Sequence, residues 1–139
     1  MDRGSIVRVW LPLAVGLVGI VALFKSGPHG PARWIGLALA LFGLAGVILA
    51  RYTLGQSFSV APKATALVTH GIYSRIRNPI YVAGTFVIGG ALLMLRKPEG
   101  LILLLVLIPI QIFRARREAA VLEAKFGDAY REYRKRTWF

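Results

Sequence analysis

Four apolar blocks crowded into 139 residues constrain this chain more than any other feature. They run over 9–24, 34–50, 80–95 and 101–113, and each is bounded at both ends by Gly, Pro, Lys or Arg. One small aqueous core cannot cover four such runs. A bilayer can, because it removes the whole circumference of an apolar helix from water. A perpendicular span needs about 20 residues, so the last two blocks must borrow flanking residues whose cations can reach back to the interface. The first block resembles a secretory leader only in position. A tight turn at 25–31 follows it instead of a small-residue cleavage site, so an uncleaved span is expected.

Charge supports the same reading. Hydrophobic residues make up 56% of the chain and charged ones 17%, against about 25% charged in an average soluble domain. The net charge of +12 belongs to Lys and Arg flanking membrane segments, where they set orientation and meet anionic lipid headgroups. No nucleic-acid partner is expected. Cysteine is absent, which excludes disulfides and thiolate chemistry. His29 and His70 lack metal-ligand spacing, so no metal centre is expected.

With the N-terminus inside, fourteen Lys and Arg fall on the inner side, and four (Lys25, Arg33, Arg96, Lys97) fall outside. Both termini and the 55–79 connection are therefore expected on the cytoplasmic face of a bacterial inner membrane. In the second block Gly36, Ala40, Gly43 and Gly46 recur at spacings of three and four, so one face can approach a neighbouring helix closely. The turn at 96–100 makes a hairpin of the last two blocks.

Two stretches on the inner side carry chemistry. The connection closes with His70-Gly71-Ile72-Tyr73 and Arg75-Ile76-Arg77-Asn78-Pro79-Ile80-Tyr81. Pro79 suits the first position of a helix and Asn78 the cap before it. Arg75 and Arg77 stand beside that helix N-terminus, a combination suited either to an anionic group or to anchoring in headgroups. From Gln111 the chain reads as one helix leaving the membrane. Arg114, Glu118 and Leu122 share a face of it, and an i,i+4 ion pair of Arg114 with Glu118 is possible there. Gly127 suits a helix end, and a short helical turn begins at Asp128.

The stretch from Gly71 and Tyr73 through Arg77-Asn78-Pro79 to Tyr81 resembles the G-x-Y-x-x-x-R-H-P-x-Y signature of the isoprenylcysteine carboxyl methyltransferase and phospholipid methyltransferase superfamily. The tail from Arg114 through Glu118 and Leu122 to Phe126, Gly127 and Tyr130 resembles its R-x-x-x-E-E-x-x-L-x-x-x-F-G-x-x-Y element. The resemblance implies a membrane methyltransferase that uses S-adenosylmethionine, with a lipophilic acceptor reached from the lipid. It places Gly71, Tyr73, Arg77, Asn78, Pro79, Tyr81 and Glu118 at the cofactor, with His70, Arg114 and Glu118 as candidate catalytic groups. Arg77 would meet the cofactor carboxylate, and Glu118 its ammonium or ribose hydroxyls. Asn78 departs from the usual His of the first motif, and Ala119 from the second Glu of the tail.

The expected architecture is a single all-α integral membrane domain over 1–139. Two transmembrane helices occupy 1–54, a cytoplasmic connection 55–79, and a helical hairpin with an amphipathic cytoplasmic tail 80–139, which forms the cofactor site. The resemblance implies an isoprenylcysteine carboxylate, a phospholipid amine, or a small hydrophobic thiol or other lipophile as the acceptor. A non-catalytic protein of the same fold and a nicotinamide-dependent membrane reductase are the alternatives. A four-helix exporter is disfavoured, because the first block holds no acid.

Overall fold

The turns set the frame. In the computed structural model, residues 3–55 and 66–139 are described, and they form five α-helices and one 3-10 turn: α1 Arg3–Ser26, α2 Pro31–Leu54, the turn Gly71–Ser74, α3 Pro79–Leu95, α4 Gly100–Phe126 and α5 Asp128–Arg136. Part of the expected 55–79 connection, residues 56–65 with Lys63, lies outside the described residues. Pro31 and Pro79 each occupy the first turn of their helix, where a missing N–H costs nothing. Arg96 closes α3 with a left-handed backbone, its N–H turned onto the carbonyls of Leu92 and Leu93. Gly127, at φ 52°, separates α4 from α5 as its sequence position suggested.

The most intimate packing is antiparallel, between α2 and α3. A Cβ placed on Gly36 would lie 2.5 Å from the Gly90 carbonyl, and one on Gly43 would lie 2.6 Å from both the Ala83 carbonyl and the Val87 nitrogen. Backbone therefore lies on backbone, as the small-residue spacing of the second block requires. Here α1 rests across the pair, and Leu13, Ile20, Ala40, Leu44 and Met94 form the buried cluster. Where α1 ends, Gly27 sits against the Met94 carbonyl.

Outside this seam the apolar side chains point outward. Val18 and Phe42 are each 68% exposed and Leu105 is 72% exposed, while Ala40 and Met94 are fully buried. Apolar residues of α4 from Leu101 to Phe113 are exposed on several sides of the helix. An apolar surface of this extent needs a nonaqueous neighbour. Among the described helices α2 alone is both long and apolar enough to cross a bilayer, and α3 and the Trp10–Ser26 part of α1 are shorter apolar segments. In α4 the apolar run stops at Arg114, and the helix continues for three more turns as a charged stem.

Candidate functional site at the α3–α4 junction

Gly71 holds a positive φ of 59°, and a Cβ there would meet the Thr53 side chain at 2.9 Å. Only glycine adopts this backbone without strain while lying so close to the end of α2. The 3-10 turn that follows buries Tyr73. His70 is exposed at the head of the turn and accepts the Tyr73 N–H with its carbonyl, at 3.2 Å. No described contact joins the His70 side chain to Glu118.

Pro79, fully buried, then starts α3. Asn78 occupies the position before it, as expected, but its side chain makes no capping bond. Its own carbonyl receives the N–H groups of Tyr81 and Val82, at 3.1 and 3.3 Å, so the Tyr81 donor, one of the two that a capping side chain could serve, is taken by backbone.

One turn into α3, Tyr81 reaches α4. Its hydroxyl donates to Glu118 Oε1 at 2.5 Å, and the Arg114 guanidinium lies 5.8 Å from the centre of the Tyr81 ring. Residues 37 apart in sequence are thus in contact, and Arg114 and Glu118 meet at the tyrosine. Deeper along the same helices, Thr85 Oγ1 lies 2.9 Å from the Tyr81 carbonyl and 2.9 Å from Gln111 Oε1.

The tail closes the site from the other side. Tyr133, buried, donates its hydroxyl to the Tyr73 carbonyl at 2.8 Å. Trp138 and Phe139 pair with the connection: Trp138 N–H donates to the Arg75 carbonyl at 2.7 Å, Arg77 N–H to Trp138 at 3.0 Å, and Asn78 N–H to Phe139 at 2.9 Å. Arg77 Nη1 donates to the Arg134 carbonyl at 3.0 Å, with Thr137 at 3.5 Å. An arginine at the C-terminal end of a helix satisfies unpaired carbonyls and complements the helix dipole. The sequence suggested Arg77 as a ligand for an anion, whereas the structure gives Nη1 to α5. Arg75, its neighbour, is exposed.

Burial raises the Tyr73 phenol well above its ordinary value, and the charges of Tyr133, Glu118 and Tyr81 act in the same direction. Burial likewise pushes Tyr133 up to about 12 and raises Tyr130. These phenols are therefore neutral donors at physiological pH, not bases. Glu118 is the acid that accepts the Tyr81 hydroxyl, and the Arg114 guanidinium lies beside that ring. Its carboxylate can accept from an ammonium or from hydroxyls, while Arg114 can donate to a carboxylate and the tyrosine rings can face a cation. That donor set fits the amino-acid end and sulfonium of S-adenosylmethionine.

Sequence reading missed Thr85, Tyr133 and the pairing of Trp138 and Phe139. A lone threonine or tyrosine carries no spacing signal. Gln111, the only polar residue between Gly100 and Arg114, opens the exit helix in the sequence and carries no site signal of its own.

Residues 31–129 match the phospholipid methyltransferase family. A stretch of 89 residues is 42% identical to the protein-S-isoprenylcysteine O-methyltransferase of Schizosaccharomyces pombe, covering 59% of this chain and 37% of that protein. The chain thus spans little more than a third of the length of that relative. No solved structure matches it. The family match includes α2, α3, α4 and every residue of the Tyr73–Tyr81–Glu118 cluster, and the chain belongs to the phospholipid methyltransferase family.

Proposed function

We propose that this chain is a multi-pass membrane methyltransferase that uses S-adenosylmethionine and works at the cytoplasmic face of a bacterial inner membrane. The observation that carries the reading is the Tyr81–Glu118 contact, which joins two motifs otherwise separated by a helical hairpin. Family membership supplies the class of reaction. The outward apolar faces of α1, α2 and α4 support a bilayer around them, and the fourteen-to-four cation bias supports cytoplasmic termini.

In this reading Glu118 binds the ammonium or ribose hydroxyls of S-adenosylmethionine, and Arg114 binds its carboxylate. Tyr73 and Tyr81 line the site with neutral hydroxyls and ring faces. Gly71, Arg77, Asn78 and Pro79 hold the loop in place, Arg77 by clamping the connection to α5. The cofactor brings an activated methyl group, so the protein's work is to orient the acceptor and exclude water. The buried Tyr73 and Tyr133 close the solvent side. A lipophilic acceptor enters between α3 and α4 from the lipid. His70 is too exposed to be favoured as a base over Glu118.

Thermal unfolding of the detergent-purified chain tests this. S-adenosylmethionine and its demethylated product should each raise the melting temperature with saturable dependence on concentration. No shift with either ligand, alongside a cooperative unfolding transition, would exclude the cofactor site.

A further inference from the structure

Three exposed aromatic side chains stand at one level of the molecule. Gly16 packs against Leu44, and in an antiparallel pair that register brings Trp10 level with the end of α2, where Tyr52 lies. Gly36 against Gly90, and Gly43 against Ala83 and Val87, set the same end of α2 level with residues 75–78. Trp138 joins that level through its parallel bridge with Ile76. Trp10, Tyr52 and Trp138 are 52%, 82% and 65% exposed. Tryptophan and tyrosine gather at the headgroup level of a bilayer, where the ring is covered and its polar tip stays wet.

Trp138 differs from the other two in belonging to the tail. Beyond Phe113, α4 carries the chain outward for roughly 20 Å, and α5 brings it back to the start of α3. There the Trp138 N–H donates to Arg75 and its carbonyl accepts the Arg77 N–H. Side chains alternate across extended backbone, and Arg77 is turned toward α5, so Ile76 and its bridge partner Trp138 face away from α5. Arg75 and Arg136 are exposed in the two paired segments. Neither segment, 66–79 or 133–139, holds an acid, so the surface around the indole is positive.

We propose that the tail docks on the anionic headgroup layer of the bilayer through Trp138, with Arg75 and Arg136 on the lipid phosphates, and that this contact holds α5 closed against the first motif. The proposal rests on the membrane reading for a bilayer at that level. An indole pinned by two backbone bonds enters the headgroup layer with little further loss of freedom. The lipid then stabilises the arrangement in which Tyr133 covers Tyr73, and the cofactor site stays shut on its solvent side.

The test places the full chain in lipid nanodiscs of phosphatidylcholine, alone or mixed equally with phosphatidylglycerol. With Trp10→Phe and Trp34→Phe, Trp138 is the one tryptophan left. Its emission should be quenched more strongly by a nitroxide on the lipid headgroup than by one deep in the acyl chains. In the wild-type chain, phosphatidylglycerol should slow amide exchange over α5 and residues 137–139 by about fivefold or more, the effect of a cation held near an anionic surface. Trp138→Ala should lose most of that slowing. A matching variant that keeps Trp34 alone reports on the membrane reading. Quenching of Trp34 without quenching of Trp138, as when a second copy or another part of the chain covers the indole, overturns the proposal and leaves that reading intact. Equal exchange in the two lipid mixtures overturns it as well. If neither tryptophan is quenched, the membrane reading fails and the proposal falls with it.

Discussion

Arg77 on the connection donates through Nη1 to the carbonyl of Arg134 at 3.0 Å, tying the loop before α3 to the end of α5 across 57 residues. Next to it, the N–H groups of Arg77 and Asn78 pair with the carbonyls of Trp138 and Phe139. The first motif and the tail are therefore one mechanical unit, and Tyr81 and Glu118 meet inside it.

Arg77→Ala should act through this clamp. It leaves the Arg134 and Thr137 carbonyls short of a charged donor, a loss of about 1.5–3 kcal/mol. Hydrogen exchange should rise over α5 and residues 137–139 and change little in α2. Cofactor affinity should fall as a consequence of the loosened tail.

Glu118→Ala removes the carboxylate that would meet the cofactor, and binding of S-adenosylhomocysteine should weaken by more than about 1.5 kcal/mol, the worth of a charge-assisted bond. Tyr81→Phe should weaken it less, because the acid remains and loses only its positioning partner. Calorimetric titration of both variants reads the difference. Equal effects would mean that the Tyr81 hydroxyl, which the Phe variant lacks while keeping the ring, carries as much of the binding as the acid.

The tail should resist alkali up to the normal range of tyrosine and then release. In the folded chain Tyr133 titrates near 12 instead of 10, so the fold favours its protonated form. That contribution is complete below about pH 10 and is lost as the pH rises toward 12. Tyrosinate absorbance at 295 nm, compared with that of Tyr133→Phe, isolates this group. The same variant strips the Tyr73 carbonyl of its donor and should lower stability by about 1–3 kcal/mol at neutral pH.

Gly43→Ala should disturb the α2–α3 seam. Its new methyl would lie 2.6 Å from the Ala83 carbonyl and the Val87 nitrogen, contacts that only a shift of the helix backbones can relieve. Overpacking of this kind typically costs about 1–3 kcal/mol. A lower melting temperature in detergent checks it, with Gly19→Ala as the control, since nothing lies within 4 Å of a Cβ there.

Much of the frame was legible in the sequence. The helix start at Pro79, the break at Gly127 and the small-residue face of α2 follow from local backbone rules that tertiary structure did not override, whereas α2 begins at Pro31, inside the turn expected over 25–31. The partnership of Tyr81 with Glu118 was not legible from spacing, and family resemblance alone brought the two motifs together. Asn78 and Arg77 show why the remainder was hidden. Asn78 is placed as a cap, but its own carbonyl serves the α3 donors. Arg77 has the charge expected of an anion ligand, yet it faces carbonyls contributed by a segment nearly sixty residues later. Long-range pairing of that sort leaves no periodic trace.

The most direct measurement is methyl transfer itself. The detergent-purified chain, incubated with methyl-labelled S-adenosylmethionine and fractionated membrane lipid, should place label in a lipid fraction, and Glu118→Ala should reduce the rate sharply at limiting cofactor. Label in no fraction, from a folded chain that also fails to bind the cofactor, would contradict the account.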